Sequence, residues 1–250
     1  MDRSALSALA HAHHPIAAPL HDSSVDALLA RAIRRRDAHL LDLGCGGGAW
    51  LLRALAAHDR TTATGVDLSD LGFAAARARA EELGAADRLD LQRGDATAFP
   101  ADRPADVVLA VGAAHAFGGL LPTLAAARGH LTPGGAVVVG DGFWEREPGA
   151  ALRGELDDPA APYADLATTV HRVVADGWVP VHGHVSTLEE WDAYEWSWTG
   201  SLAEWALDHA DDPDRAQALR TSARHREQWL GGYRGVLGFV TLVLRPGPAV

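Results

Sequence analysis

Five short apolar runs recur along residues 38–144: AHLLDLG, TTATGVDLSD, LDLQRGDA, ADVVLAVGAAH and AVVVGDGFW. Most alternate with stretches of helical length: AWLLRALAAH, then LGFAAARARAEELGA stopped by Gly84, then LPTLAAARGHL followed by a TPGG turn. Most of the runs are apolar at consecutive positions, the pattern of strands covered on both faces. Such strands, alternating with helices, build a parallel α/β sheet with right-handed crossovers. Its ligands sit beyond the carboxyl ends of the strands, where the strand order reverses. The positions to inspect are therefore near Gly44, Asp67, Asp95, Gly112 and Asp141.

Ahead of these runs, VDALLARAIRRR has apolar residues at helical spacing, with Ser23 or Ser24 as the expected N-cap. Beyond Asp141 the composition changes: seven of eight tryptophans and all three tyrosines follow residue 140. There YADLATTVHRVVADG reads as a helix and WVPVHGHVS as a strand. TLEEWDAYEWSWTGSLAEWALDHA and PDRAQALRTSARHREQWLGGY read as two amphipathic helices, and GVLGFVTLVLRP as a closing strand. The expected organisation is one domain overall. It has an N-terminal cap segment and helix (1–36), a core (37–145), and a last part (146–250) with a helical lid near 187–230.

Charge and composition exclude several function classes. The net charge is −11 and lysine is absent, which argues against a nucleic-acid-binding face. The lysine-free, Ala- and Gly-rich composition reads as a GC-rich coding sequence and not as function. One cysteine forms no intrachain disulfide and no cysteine-based zinc cluster. The most apolar windows are interrupted or too short for a bilayer. A soluble cytoplasmic protein, monomeric or homodimeric, is expected. HAHHPIAAPLH holds four histidines, but a proline-broken segment is a poor frame for a metal, so none is expected. The first ten or so residues are expected to be disordered, with the segment after them folding over a pocket.

The turn LLDLGCGGGAW is the informative one. Glycines let a strand turn sharply into a helix and let a ligand approach the backbone. The spacing of Gly44, Gly46 and Ala49 also suits a dinucleotide, but that would set a pyrophosphate beside Asp42 and be repelled. A cationic cofactor without phosphate is compatible with Asp42. Asp67, 19 residues after Gly48, ends the second strand where a carboxylate can accept from two ribose hydroxyls. Asp95 ends the third, where it can receive an adenine amino group. Both aspartates also suit a plain turn or helix N-cap.

Taken together and in order, LLDLGCGGGAW, GVDLSD, RGDATAFP, ADVVLAVGAAHAFGG and LTPGGAVVVGD resemble the class I S-adenosylmethionine-dependent methyltransferases over residues 35–145. The resemblance implies a doubly wound, seven-stranded, Rossmann-like sheet whose last strand is antiparallel. It implies that Asp42, Gly44, Cys45, Gly46 and Gly48 lie at the methionine portion, Cys45 as a small spacer. Asp67 would bind ribose, Leu68 would pack on adenine, Asp95 and Ala96 would hold the adenine edge, and Val111 and Gly112 would lie beneath the cofactor. GAAHAFGG, the acid-x-x-W of GDGFWE and EWDAYEW extend the similarity to a loosely defined bacterial group acting on small molecules.

Methyl transfer from a sulfonium is an in-line displacement, so the protein supplies alignment and a dry pocket. A base is needed only where the acceptor carries a proton. His115, three residues past Gly112, is the candidate base, and Asp141 is the alternative base or orienter. His14, Phe117, Trp144 and the helical stripe Trp191, Tyr194 and Trp198 are candidate substrate contacts. His182 and His184 read as an edge-strand pair without chemistry. Two other readings stand beside methyl transfer to a small molecule: a non-catalytic cofactor-binding regulatory protein, and a nicotinamide-dependent oxidoreductase.

Overall fold

The computed structural model describes residues 1–100, 103–156 and 162–248. Each apolar run becomes a strand: β1 (His39–Leu43), β2 (Thr62–Asp67), β3 (Leu89–Arg93), β4 (Ala105–Val111) and β5 (Leu131–Trp144). The later part adds β6 (Trp178–Val185) and β7 (Leu237–Pro246). The sheet order is β3-β2-β1-β4-β5-β7-β6. β1 to β5 are parallel, and β7 runs antiparallel to both β5 and β6. The order reverses between β1 and β4, which places the ligand crevice above those two strands.

Helices cover both faces. On one face α2 (Asp22–Ala32), α3 (Ala49–Ala57) and α4 (Phe73–Glu82) bury Leu28, Leu51, Leu55 and Phe73 against Leu40, Leu109 and Val138. The bent segment Ile16–Leu20 joins this layer. On the other face α6 (Leu120–Gly129) and α8 (Leu166–Ala175) pack Leu124, Ala127 and Val173 against Leu41, Val108 and Val139. All five residues of β1 are buried, as a central parallel strand requires.

Several expectations change. The first ten residues form α1 (Arg3–Ala10), whose start is capped by the Asp2 carboxylate accepting from the Ala5 amide at 2.8 Å. α2 starts earlier than the serines suggest and ends at Ala32; Ser24 caps nothing, because its hydroxyl donates to Glu190 at 2.6 Å. The fourth run stops at Val111. Gly112 takes φ +72° and the chain turns into one helical turn, α5 (Ala114–Phe117). The TPGG stretch bulges from β5: Ala105 pairs with Leu131 and Val107 with Ala136. α7 (Ala150–Leu156) has no counterpart in the sequence reading.

The two amphipathic helices form as read: α9 (Leu188–Asp208) and α10 (Arg215–Gln228) pack against each other and α9 against α1. Thr187 and Glu190 make a reciprocal capping box at the start of α9. Glu190 also accepts from the His21 amide and His184 Nε2. Burial alone pushes this carboxyl up, but the Ser24, Thr187, His21 and His184 hydrogen bonds prevail and hold it at about 2. His184 is thus part of the anchor of α9. Among the described residues no helix is long and apolar enough to cross a membrane.

Candidate active site

Three carboxylates ring the carboxyl ends of β1, β2 and β3. Asp42 lies within β1, opposite Gly65 on one side and Leu109 on the other. It is 4% exposed. Among the described residues no donor reaches its carboxylate. Burial, and secondarily the charge of Asp67, pushes its pKa up to about 8. A carboxyl so placed favours a cation beside it. Asp67 ends β2 and accepts from the Gly46 amide at 2.8 Å and the Ser69 amide at 2.9 Å. Asp95 is exposed and caps the following turn, accepting from the Thr97 amide and hydroxyl. Those two bonds, the hydroxyl's first, hold its pKa below the usual carboxylate range.

The glycine turn is held by the Gly44 and Cys45 amides, which donate to the Val66 carbonyl at 2.9 and 3.1 Å. Gly44 takes φ +92°, and a Cβ there would sit 2.9 Å from Ala113 Cβ. At Gly44 the turn therefore lies against the loop after β4 with no room for a side chain. Sequence reasoning missed a second glycine: a Cβ on Gly72, before α4, would come 2.7 Å from Gly47 Cα. Cys45 is buried, and burial raises its thiol pKa, so it stays neutral. Its sulfur would be 2.8 Å from a Cβ on Gly65, which explains a glycine inside β2.

Leu68 is 69% exposed beside this cluster, while Ala96 packs into the α6–α8 layer. Val111 packs into the opposite layer together with Trp191. The segment after α1 crosses the end of β4: a Cβ on Gly112 would lie 3.2 Å from the Ala17 carbonyl oxygen. His14, just before it, donates from Nδ1 to the Ile16 carbonyl at 2.7 Å and sits edge-on to Tyr194.

The other candidates divide into separate places. His115 is exposed on α5, and Phe117 packs on the α6–α8 layer. Asp141 lines a cavity of about 300 Å³ with Gly118, Leu120, Tyr163 and Arg172. Its carboxylate accepts only from the adjacent Gly142 amide among the described residues, at 2.9 Å, and burial raises its pKa to about 6. Trp144 is 5% exposed, edge-on to Tyr163, and lines a neighbouring cavity.

The aromatic stripe gathers a network that sequence reasoning resolved only in part. Trp191 is edge-on to Tyr194 and Tyr233, and Trp198 stacks on His225 at 3.9 Å. Glu195, 2% exposed, accepts from Tyr233 Oη and His225 Nε2, both at 2.7 Å. His11 Nδ1 donates to the Ser7 carbonyl, so its Nε2 accepts from Tyr194 Oη at 3.0 Å. The available signal was spacing: Glu195 lies on the same helical stripe as Thr199, Leu202 and Ala206, all buried. Among the described residues no group of His, Cys, Asp and Glu is arranged to hold a metal ion.

Known proteins share this architecture. A profile described as a methyltransferase domain matches residues 41–137. The uncharacterized protein YjhP of Escherichia coli K12 is 29% identical over 221 residues, 87% of this chain and 88% of its own. A crystal structure of an S-adenosylmethionine-dependent methyltransferase from Geobacter sulfurreducens, in complex with S-adenosyl-L-homocysteine, superposes with a TM-score of 0.89. It is 27% identical and covers 97% of this chain and 98% of that one. A second such complex, from Thiobacillus denitrificans, gives 0.87 at 25% identity, covering 98% and 99%. The sheet order, the strand-end aspartates, the glycine turn and these likenesses agree: residues 41–137 form a methyltransferase domain, the fold is that of the class I S-adenosylmethionine-dependent methyltransferases, and the chain is an enzyme of that kind.

Proposed function

We propose that the enzyme moves a methyl group from S-adenosylmethionine to a small organic acceptor. The observation that carries the cofactor side is Asp42, a buried carboxylate with no donor among the described residues, set beside a glycine turn with no room for a side chain at Gly44 and an open backbone at Gly46 and Gly47. It suits an ammonium and disfavours a pyrophosphate. Two of the similar proteins are complexes with S-adenosyl-L-homocysteine, which supports the same reading. When bound, the cofactor supplies a methyl already activated by the sulfonium.

The chain's residues do the rest. Asp42 holds the ammonium, and Asp67, already fixed by two amides, offers its remaining acceptor capacity to ribose hydroxyls. Asp95 and Ala96 border the adenine, with Leu68 against its face. Gly112 and the crossing segment at Ala17 enclose the reacting end and exclude water. The acceptor approaches over β4 and β5, where His115, exposed on α5, is the first candidate to take its proton and Asp141 in β5 the alternative.

Calorimetric titration tests the cofactor side. Micromolar binding of S-adenosyl-L-homocysteine without binding of NADH is expected, and the reverse result sinks the reading. Asp67→Ala should weaken that binding by about 1–3 kcal/mol. For the acceptor side, His115→Ala should flatten the pH dependence of turnover. A variant that keeps both rate and profile removes His115 from the chemistry.

A further inference from the structure

The cavity at the end of β5 carries opposite charges on its walls. Asp141 supplies a carboxylate whose sole described donor is its neighbouring amide. Arg172, from α8, lines the same cavity and forms no ion pair among the described residues. No hydrogen bond or ion pair joins Asp141 to Arg172 among the described residues. Leu120, Leu121 and Pro122 give the space between them an apolar side. At about 300 Å³ the cavity has small-molecule size.

Its place in the sheet matters as much. Val111 pairs with Gly140, and the Gly112 amide donates to the Gly140 carbonyl at 3.1 Å. Asp141 is the next residue, so it stands about one strand spacing, ~4.8 Å, from the end of β4 where the cofactor's reacting end belongs.

On these grounds, and resting on the cofactor reading above, we propose that this cavity is the acceptor seat and that the acceptor is a zwitterionic amino acid. Its amino group meets Asp141, its carboxylate meets Arg172, and its side chain lies along Leu120, Leu121 and Pro122. Each charged wall then gains a charged partner that it does not have among the described residues. A simple amine or a simple acid would satisfy one wall and leave the other unpaired.

The chemistry balances without any further reagent. The amino group arrives as an ammonium, which has no lone pair. One proton passes to the Asp141 carboxylate and from there to solvent. The freed lone pair forms the N–CH₃ bond as the S–CH₃ bond breaks, leaving a methylated ammonium, S-adenosyl-L-homocysteine and one released proton. The elevated basicity of Asp141 narrows the gap that the proton must cross. In this arrangement Asp141 takes the base role otherwise given to His115.

The test uses the full chain loaded with S-adenosyl-L-homocysteine. It is titrated calorimetrically with the standard amino acids, then with isoamylamine and isocaproate, the leucine analogues lacking carboxylate or amine. Methyl-labelled S-adenosylmethionine and the same compounds are followed by mass spectrometry. At least one apolar amino acid should bind and be N-methylated, with each single-charge analogue binding about tenfold or more weakly. Arg172 lies on an exposed helix face, so Arg172→Gln should fold normally, raise KM about tenfold or more and leave kcat within about threefold. Asp141→Asn should abolish transfer.

Three results overturn the proposal: no amino acid binds the loaded protein, the analogues bind as tightly as leucine, or Arg172→Gln leaves KM unchanged. Failure to bind S-adenosyl-L-homocysteine at all overturns the cofactor reading instead, and this one with it.

Discussion

Asp42→Asn isolates the energetic cost of the cofactor seat. In the ligand-free protein the Asp42 carboxyl is held neutral to about pH 8, chiefly by burial, whereas in the unfolded chain it ionises near 4. The unfolded state therefore binds fewer protons than the folded one between these values, and wild-type stability falls as pH rises through that window. At ~1.4 kcal/mol per pH unit, the rise from pH 6 to pH 8 removes up to about 3 kcal/mol through this one group. Asparagine cannot ionise, so the variant lacks that loss. Its amide has a desolvation cost of its own, but one that does not change with pH. The discriminating quantity is thus the stability difference between variant and wild type, which should shift in the variant's favour by about 1–3 kcal/mol across the window. Urea denaturation at pH 6, 7, 8 and 9 measures it. A difference constant to within about 0.5 kcal/mol would refute the reasoning. The variant should also lose affinity for S-adenosyl-L-homocysteine at pH 8, where wild-type Asp42 can charge against the ligand's ammonium.

Three further outcomes are expected. Gly72→Ala drives a methyl group against Gly47 Cα, a backbone atom that cannot swing aside. It should cost about 1–3 kcal/mol of stability and weaken S-adenosyl-L-homocysteine binding, read by urea titration and calorimetry. Glu195→Gln keeps the shape of the buried acid but turns an amide donor toward Tyr233 or His225. A loss of about 2–4 kcal/mol is expected, and an unchanged urea midpoint contradicts the network. His11 is held below the usual histidine pKa, first by burial, with His14 and His225 adding to the depression while Ser7 and Glu195 oppose it. Its share of stability is therefore present above pH 6.5 and lost as pH falls below it. Hydrogen exchange in α1, corrected for intrinsic rate, should rise on acidification and be insensitive to pH in His11→Gln.

The sequence was most legible where one residue type serves one backbone need. Gly44 and the strand-end aspartates Asp67 and Asp95 could be placed because a sharp strand-to-helix turn and a strand carboxyl end each leave a local pattern. The buried strands β1 and β4 were legible for the same reason, since a strand covered on both faces is apolar throughout. Gly72, Gly65 and Ala17 were not legible. Each matters through a neighbour distant in sequence: Gly47, Cys45 and Gly112. His11 and His225 were hidden similarly, because a histidine looks alike in sequence whether it faces water or a buried phenol. The disorder expected of the first ten residues failed on the same account. α1 is stable because α9 offers it a surface, and nothing within residues 1–10 reveals that surface. Asp141 was legible as a strand-end acid, but the cavity around it depends on Arg172, thirty-one positions further along a separate helix.

The strand order carries a consequence for how the chain can be cut or built. β7, which follows β5 and β6 in sequence, sits between them and is hydrogen-bonded along its length to each. A nascent chain that has already made the crevice above β1 and β4 still has two raw sheet edges facing one another across a gap one strand wide. A chain cut before Leu237 would leave that gap for good, exposing Val137–Val139 to any passing strand. β7 therefore acts as a keystone: losing it should lead to aggregation, not to a smaller working enzyme.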